Sequence, residues 1–349
     1  MEYTRLSEID LKANINERIY ASFLVLNVEV KPQKGNKRFL MFNIVDKDTV
    51  LETKIFDVTD EIISKVISGR TYYGAIDIKP WEKAPNGISG IVYNMDFADI
   101  KPEYFADWAD NLDESQKIIE GALAEIGDNT YRKIVYPILI ERWGKFSSWS
   151  AASGQHHTRL GDLLTHTAEV VTIVSELADI FNNIYGSEFI NKPLLLSAAL
   201  LHDVGKTEEL DVDTITGETK YSKNSVLKTH IMDVLSMVDI QAYRCNIGIQ
   251  TYEINEINEE EPVKSEEEIA DELECLNLLK HCLAAHHGKL EWGSPITPSV
   301  PEAYLLHIAD NLDAEMFKYY RTFRQIESGE VDVAWQPSGI RKTYKDSTK

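Results

Sequence analysis

Cysteine is scarce: Cys245, Cys275 and Cys282 are the only three in 349 residues. None forms a CxxC pair, which excludes a disulfide scaffold and fits reduced thiols. Cys282 lies on a helical pattern near several histidines and is expected to be a core residue. No apolar run approaches the ~18 residues that a membrane-spanning helix needs. The opening stretch, MEYTRLSEIDLKANINERIY, holds acids and no apolar core, the composition expected of a cytoplasmic chain. Positive charge is also short. Against 57 Asp+Glu stand 36 Lys+Arg, a net charge of −21 that argues against a broad nucleic-acid-binding surface. The deficit is local, because residues 251–274 hold 11 acids and one lysine, whereas residues 1–105 hold 14 basic and 16 acidic side chains. The acidic block reads as a solvated loop leading into a helix. A polyanionic substrate would have to be held by a few local cations or metals. There is no internal repeat and no Ser or Cys triad.

What is present is histidine beside carboxylate on apolar periodic segments. Leu194 to Glu209 reads LLLSAALLHDVGKTEE, an apolar run that carries His202 and Asp203 to its C-terminal end. Gly205 is expected to end that helix, and Lys206 leaves a cation beside the pair. Imidazole next to carboxylate suits a divalent ion, one neutral nitrogen with one anionic oxygen able to bridge two metals. His166 lies in the amphipathic segment GDLLTHTAEVVTIVSELADIF, His230 in SVLKTHIMDVLSMV, His286 and His287 at the end of CLNLLKHCLAAHHGK, and Asp310 in PEAYLLHIADNLDAEMFKYY. Five helices thus each offer a His or Asp. His281 and His307 share those helices but fall outside the pattern, and Asp313 is expected to cap or pair at the surface.

Residues 15–100 read as five short strands rich in Val, Ile, Tyr and Phe, with one helix, DVTDEIISKVISG, after the third. That is the order of an OB-fold barrel, which binds single strands by stacking bases on aromatics and pairing phosphates with cations. Lys34, Lys37 and Arg38 in the first hairpin are the candidate phosphate contacts. Phe39, Phe42, Phe56, Tyr72 and Trp81 are the candidate stacking residues, and strand alternation puts about half of them in the core. Residues 115–146 read as two helical segments with Pro137 near their boundary. The last stretch, residues 329–349, reads as an extended tail.

The order H…HD…H…HH…D resembles the HD-domain metal-dependent phosphohydrolases. With the barrel in front, the chain resembles the YhaM-type 3′-to-5′ exoribonucleases. The segments that carry the resemblance are HHTRLGDLLTHT, LLHDVGKTEEL, AHHGKLEWGSP, EAYLLHIADNLDA and WQPSGIRKTYK. Asp162 and Thr165 stand where that family has Gly and Glu, and Thr229 stands where it has Gly. The insert 241–270 is long and acidic. The resemblance implies two divalent ions, with manganese favoured and Fe, Co, Ni, Zn or Mg as alternatives. His166, His202, Asp203 and Asp310 would hold one ion. Asp203 would bridge to the second, held with His230, His286 and His287. Asp203, Lys206 and Lys289 would serve the reaction, the two lysines by neutralising phosphate oxygens, and His157 with its neighbour His156 would lie near the substrate.

The expected fold is thus α+β: a five-stranded OB-fold barrel over residues 1–105, a helical connector over 106–150, an all-α HD bundle over 151–328 and a tail over 329–349. The expected activity is removal of nucleoside monophosphates from the 3′ end of single-stranded RNA or DNA. A phosphohydrolase of small nucleotides (a cyclic dinucleotide, an alarmone or a nucleoside monophosphate) is the alternative, favoured by the negative charge. A non-catalytic scaffold with a structural metal is the third reading. No membrane partner is expected, and a homo-oligomer is compatible with the sequence.

Overall fold

The computed structural model describes residues 3–33, 35, 37–47, 49–82, 84, 87–101, 104–152, 159–214, 217–254, 260–325, 331–336 and 339–344, with side chains described as far as residue 320 except at 260 and 261. The chain forms two compact units, residues 1–108 with 213–218, and residues 109–212 with 219–349.

The first unit is the expected barrel. A two-residue strand β1 (Thr4–Arg5) pairs in parallel with β2 (Arg18–Gln33), and β3 (Lys37–Asp46), β4 (Thr49–Ile55), β5 (Thr71–Pro80) and β6 (Ile88–Phe97) follow. The sheet runs β2-β3-β4-β6-β5 and closes through β2–β5, with β4 and β6 parallel where the others are antiparallel. The single helix, α1 (Asp60–Lys65), lies between β4 and β5 as expected and starts at Thr59, whose hydroxyl accepts from the Ile62 amide. Closure leaves the long strands no free edge. Inward positions, among them Phe23, Leu40, Phe42, Ile44, Leu51 and Tyr72, form one apolar cluster.

Alternation divides the five candidate aromatics. Phe42 and Tyr72 are each 1% exposed and belong to the core, and the Tyr72 hydroxyl donates to the Lys65 carbonyl. Phe39 and Phe56 pack on one another on the outer surface, ring centroids 5.7 Å apart, and Trp81 carries the Lys54 ammonium 3.7 Å from its ring centroid. Lys34 lies outside the described residues. Lys37 pairs with Asp57 at 3.1 Å and Arg38 with Asp60 at 2.7 Å, all four side chains being exposed.

The second unit is helical: α2 (Leu112–Ile126), α3 (Thr130–Phe146), α4 (Asp162–Tyr185), α5 (Lys192–Leu201), the single turn α6 (Lys206–Glu209), α7 (His230–Arg244), α8 (Glu266–Ala285) and α9 (Pro301–Gln325). Helix α5 is its axis. Every residue from Leu194 to Leu201 is buried, as a helix that is apolar all round must be, and α2, α3, α4, α8 and α9 pack against it. Asn191 caps it by accepting from the Leu194 amide, with proline in its first turn.

Pro137 does not mark a helix boundary, as its sequence context suggests; it sits inside α3. Its ring nitrogen has no proton to give the Lys133 carbonyl four residues back. Gln241 Nε2 of α7 takes that place, 3.3 Å from the same oxygen, so the α3–α7 packing supplies the missing donor. The acidic block is more ordered than a plain loop. β9 (Tyr252–Ile254) and β10 (Glu260–Pro262) pair antiparallel, and α8 begins at a capping box between Ser265 and Glu268. A short hairpin, β7 (Leu210–Val212) with β8 (Thr219–Tyr221), follows α6, and the tail pairs with itself as β11 (Val331–Gln336) and β12 (Gly339–Tyr344). Among the described residues no helix is long and apolar enough to cross a membrane.

The barrel assignment separates core from surface aromatics quantitatively. Phe42→Ala is expected to cost about 3–5 kcal/mol by leaving a cavity, and Phe56→Ala less than about 1 kcal/mol. Urea unfolding of the full-length variants, followed on the barrel transition, measures both.

Candidate metal centre

Two helices end at the same place. His202 is the residue after α5 and His286 the residue after α8, and their ring centroids lie 5.5 Å apart. Each ring turns back on its own helix: His202 Nδ1 lies 2.8 Å from the Ala199 carbonyl, and His286 Nδ1 lies 2.7 Å from the Leu283 carbonyl. A carbonyl oxygen only accepts, so each Nδ1 must carry the proton and each Nε2 must present a lone pair. His287 obeys the same logic, its Nδ1 lying 2.9 Å from the Trp292 carbonyl. The partial negative charge at the ends of α5 and α8 adds to this and favours a cation between them.

Two further imidazoles are held by carboxylates. His166, on α4, places Nδ1 2.6 Å from Asp313 Oδ2, and His230, the first residue of α7, places Nδ1 2.9 Å from Glu209 Oε2. Neither carboxylate was expected at the centre. Asp313 is buried and orients His166, so the expectation that it caps or pairs at the surface is wrong; three residues apart, about one turn of α9, Asp310 and Asp313 share one face. Glu209 lies six residues past Asp203, beyond a tight turn that sequence periodicity does not reveal. His230 also opens its helix rather than lying within it.

The Nε2 nitrogens converge in two groups around Asp203. His166, His202 and Asp203 offer ligand atoms mutually within 4.8 Å, and so do His230, His286 and His287. Asp203 Oδ2 lies 3.4 Å from His166 Nε2 and 3.5 Å from His202 Nε2, while Oδ1 faces His230 Nε2 at 3.7 Å. One carboxylate therefore stands between the groups with an oxygen toward each. Asp310 Oδ1 is 3.3 Å from His166 Nε2 and completes the first. His230 Nε2 and His286 Nε2 are buried with no hydrogen-bond partner among the described residues, and orphaned buried acceptors of this kind are costly unless a ligand satisfies them. His166 Nε2 and His202 Nε2 face each other at 3.2 Å, which two lone pairs tolerate only with a proton or a cation between them.

Charge follows the same division. Burial disfavours a protonated His166, but Asp203, Asp310 and Asp313 outweigh it and raise its pKa well above the usual imidazole range. A cation in that group would meet the same carboxylates. His286 and His287 are held below that range, by burial first and then by neighbouring imidazoles, so they stand neutral and ready to donate. Asp203 stays ionised despite burial because Lys206, His202, His166 and His230 surround it. Lys206 Nζ donates to Asp203 Oδ2 at 2.6 Å, and that contact raises its pKa against the opposing effect of burial. With imidazole nitrogens and carboxylate oxygens alone, the donor set fits a borderline divalent ion.

Gly205 serves the centre by its size. It does not end α5 as expected: that helix stops at Leu201, and Gly205, right-handed helical, precedes α6. A Cβ there would stand 2.0 Å from the His230 carbonyl oxygen, and only glycine lets the HD turn reach the start of α7.

Lys289 Nζ lies over the Trp292 ring, 3.9 Å from its centroid. His156 and His157 lie outside the described residues. Cys282 is fully buried in the core cluster as expected. His307 Nδ1 lies 3.0 Å from the His286 carbonyl and His281 accepts from the Ser299 amide, so both stay outside the two groups.

Removing the acceptor behind His166 tests the orienting role directly. Asp313→Ala keeps every atom of the two groups, yet is expected to weaken divalent-ion affinity about 10–100-fold; competition against a chromogenic chelator measures it.

Comparison with known proteins places this geometry. The HD domain family matches residues 163–315, a span that holds all six side chains of the two groups and Asp310. The chain is 26% identical over 325 residues to a 3′-5′ exoribonuclease YhaM of Bacillus velezensis, covering 90% of this chain and 91% of that one. It is 28% identical over 340 residues to the 3′-5′ exoribonuclease YhaM of Geobacillus sp., covering 95% and 93%, and 27% identical over 334 residues to that of Bacillus licheniformis, covering 93% of each. On its histidine and carboxylate geometry and on these similarities, the chain carries an HD domain behind an OB-like barrel and resembles the YhaM exoribonucleases along nearly its whole length.

Proposed function

We propose that the protein is a cytoplasmic, metal-dependent 3′-5′ exoribonuclease that trims single-stranded RNA, and DNA less readily, to nucleoside monophosphates. The observation that carries the reading is the convergence of five imidazoles in two groups, with an oxygen of Asp203 toward each. Two divalent ions, manganese by preference, would supply Lewis-acid polarisation of the phosphate and of a water. This chain's own groups do the rest. Asp313 and Glu209 hold the His166 and His230 rings at fixed tautomers. Lys206, kept cationic beside Asp203, is the group placed to neutralise a phosphate oxygen as charge develops. On the barrel, Lys37 and Arg38 beside the pair of half-buried Phe39 and exposed Phe56 would hold the strand by charge and stacking, with Lys34 in the same hairpin. His157 and Lys289 are proposed to flank the substrate. The similarity to proteins named 3′-5′ exoribonuclease YhaM supports the substrate class.

One observation favours a small-nucleotide substrate instead. Lys37 and Arg38 already have carboxylate partners, Asp57 and Asp60, and so offer a strand less net charge. The two readings separate in one assay. A 5′-labelled oligoribonucleotide incubated with Mn²⁺ is expected to shorten from its 3′ end, and Asp203→Asn to slow this by ~10²–10³-fold or more. Replacing Lys37 and Arg38 together by Glu is expected to raise KM on the oligonucleotide about tenfold, since each phosphate contact contributes to affinity. An intact oligonucleotide beside rapid hydrolysis of a cyclic dinucleotide or alarmone contradicts the exonuclease.

A further inference from the structure

Two cavities flank the metal centre and share a wall. One, of 210 Å³, is lined by His166, Asp203, Asp310 and Asn311. The other, of 360 Å³, opens beside His230 and is lined by Leu210, Tyr221, Thr229 and Ile231. Lys206, His287 and Trp292 line both. The smaller cavity has acidic walls and little room. The larger falls within the ~300–1,000 Å³ of small-molecule sites, large enough for a nucleoside.

Trp292 is the aromatic between them. It closes the short turn Leu290–Trp292 and remains 46% exposed, so its indole is not a core residue. Its backbone carbonyl accepts the His287 Nδ1 proton at 2.9 Å, which ties the indole to the centre through a single hydrogen bond. The Lys289 ammonium lies over the ring 3.9 Å from its centroid, steadying the side chain by a cation–π contact. Part of the indole stays exposed at the wall the two cavities share, where a planar group could stack on it. Purine or pyrimidine rings do so without regard to sequence, because every base has a π-face. That tolerance is what an enzyme removing whichever nucleotide comes last requires, and hydrogen-bond readout of a base edge would work against it.

We infer that Trp292 is a stacking platform for the 3′-terminal base, which sits in the 360 Å³ cavity while its phosphate lies at the metal centre. The inference rests on the exonuclease reading. Trp292 acts in binding, and its carbonyl contact to His287 survives any side-chain substitution.

The test uses two 5′-labelled oligoribonucleotides that differ only in whether the last sugar carries a base, each with wild type, Trp292→Ala and Trp292→Phe. Wild type is expected to show a KM about tenfold higher on the abasic strand. Trp292→Ala should raise KM about tenfold on the complete strand, change kcat little, and add less than about twofold on the abasic one. Trp292→Phe should recover most of the loss. Binding of adenosine 5′-monophosphate, measured by calorimetry in chelator, should weaken by a similar factor in the Ala variant. Equal losses on both strands, or no recovery with Phe, would overturn the stacking role and leave the exonuclease standing. A wild-type protein that shortens neither strand overturns the exonuclease reading, and the subsite with it.

Discussion

Lone pairs that face one another inside a protein must be balanced by something positive. The centre of this molecule is built on that constraint. Carbonyl and carboxylate acceptors lie against Nδ1 of all five histidines and turn the other ring nitrogens inward, in two groups with an oxygen of Asp203 toward each. Buried without a cation, such an arrangement is repulsive and leaves polar atoms unsatisfied. With one it becomes a rigid donor cage whose rings are already aimed. The cost of desolvating the donors is met on folding, so binding an ion does not require the side chains to search for their rotamers.

The helical unit reads as the scaffold for that cage. Helix α5, buried from Leu194 to Leu201, ends in the interior and places His202 and Asp203 there. Helix α8 ends beside it on a histidine turned back in the same way, so two negative helix termini face the cation site. Small details hold the elements at this distance. Gly205 admits the backbone of α7, and Gln241 satisfies the carbonyl that Pro137 leaves bare in α3. The Asp313 and Glu209 carboxylates act behind the rings, since each holds an imidazole in place by its Nδ1.

Much of this was legible in the residues, and the exceptions have physical causes. Alternating apolar residues marked all five barrel strands and the helix after the third, because burial on one face imposes a period of two. The ligand-type side chains were visible as an ordered set on helical segments. The orienting partners were not. Asp313 looks like a solvent-facing acid until α9 packs on α4 and brings it against His166. Glu209 reaches His230 only because a turn at Gly205 reverses the chain, and no periodicity encodes that turn. Pro137 was misplaced because its helix-breaking effect is cancelled by a side chain more than a hundred residues away. Among the aromatics, alternation separated Phe42 and Tyr72 from Phe39 and Phe56 only once the register was known.

The proposed chemistry needs cations in the space that Asp203 divides. Anomalous diffraction at the manganese edge, from crystals of the protein grown with Mn²⁺, locates those ions directly. Two peaks ~3.5–4 Å apart are expected, one beside His166, His202 and Asp310, the other beside His230, His286 and His287, with an oxygen of Asp203 on each. Peaks elsewhere on the chain, or none at these imidazoles, would contradict it.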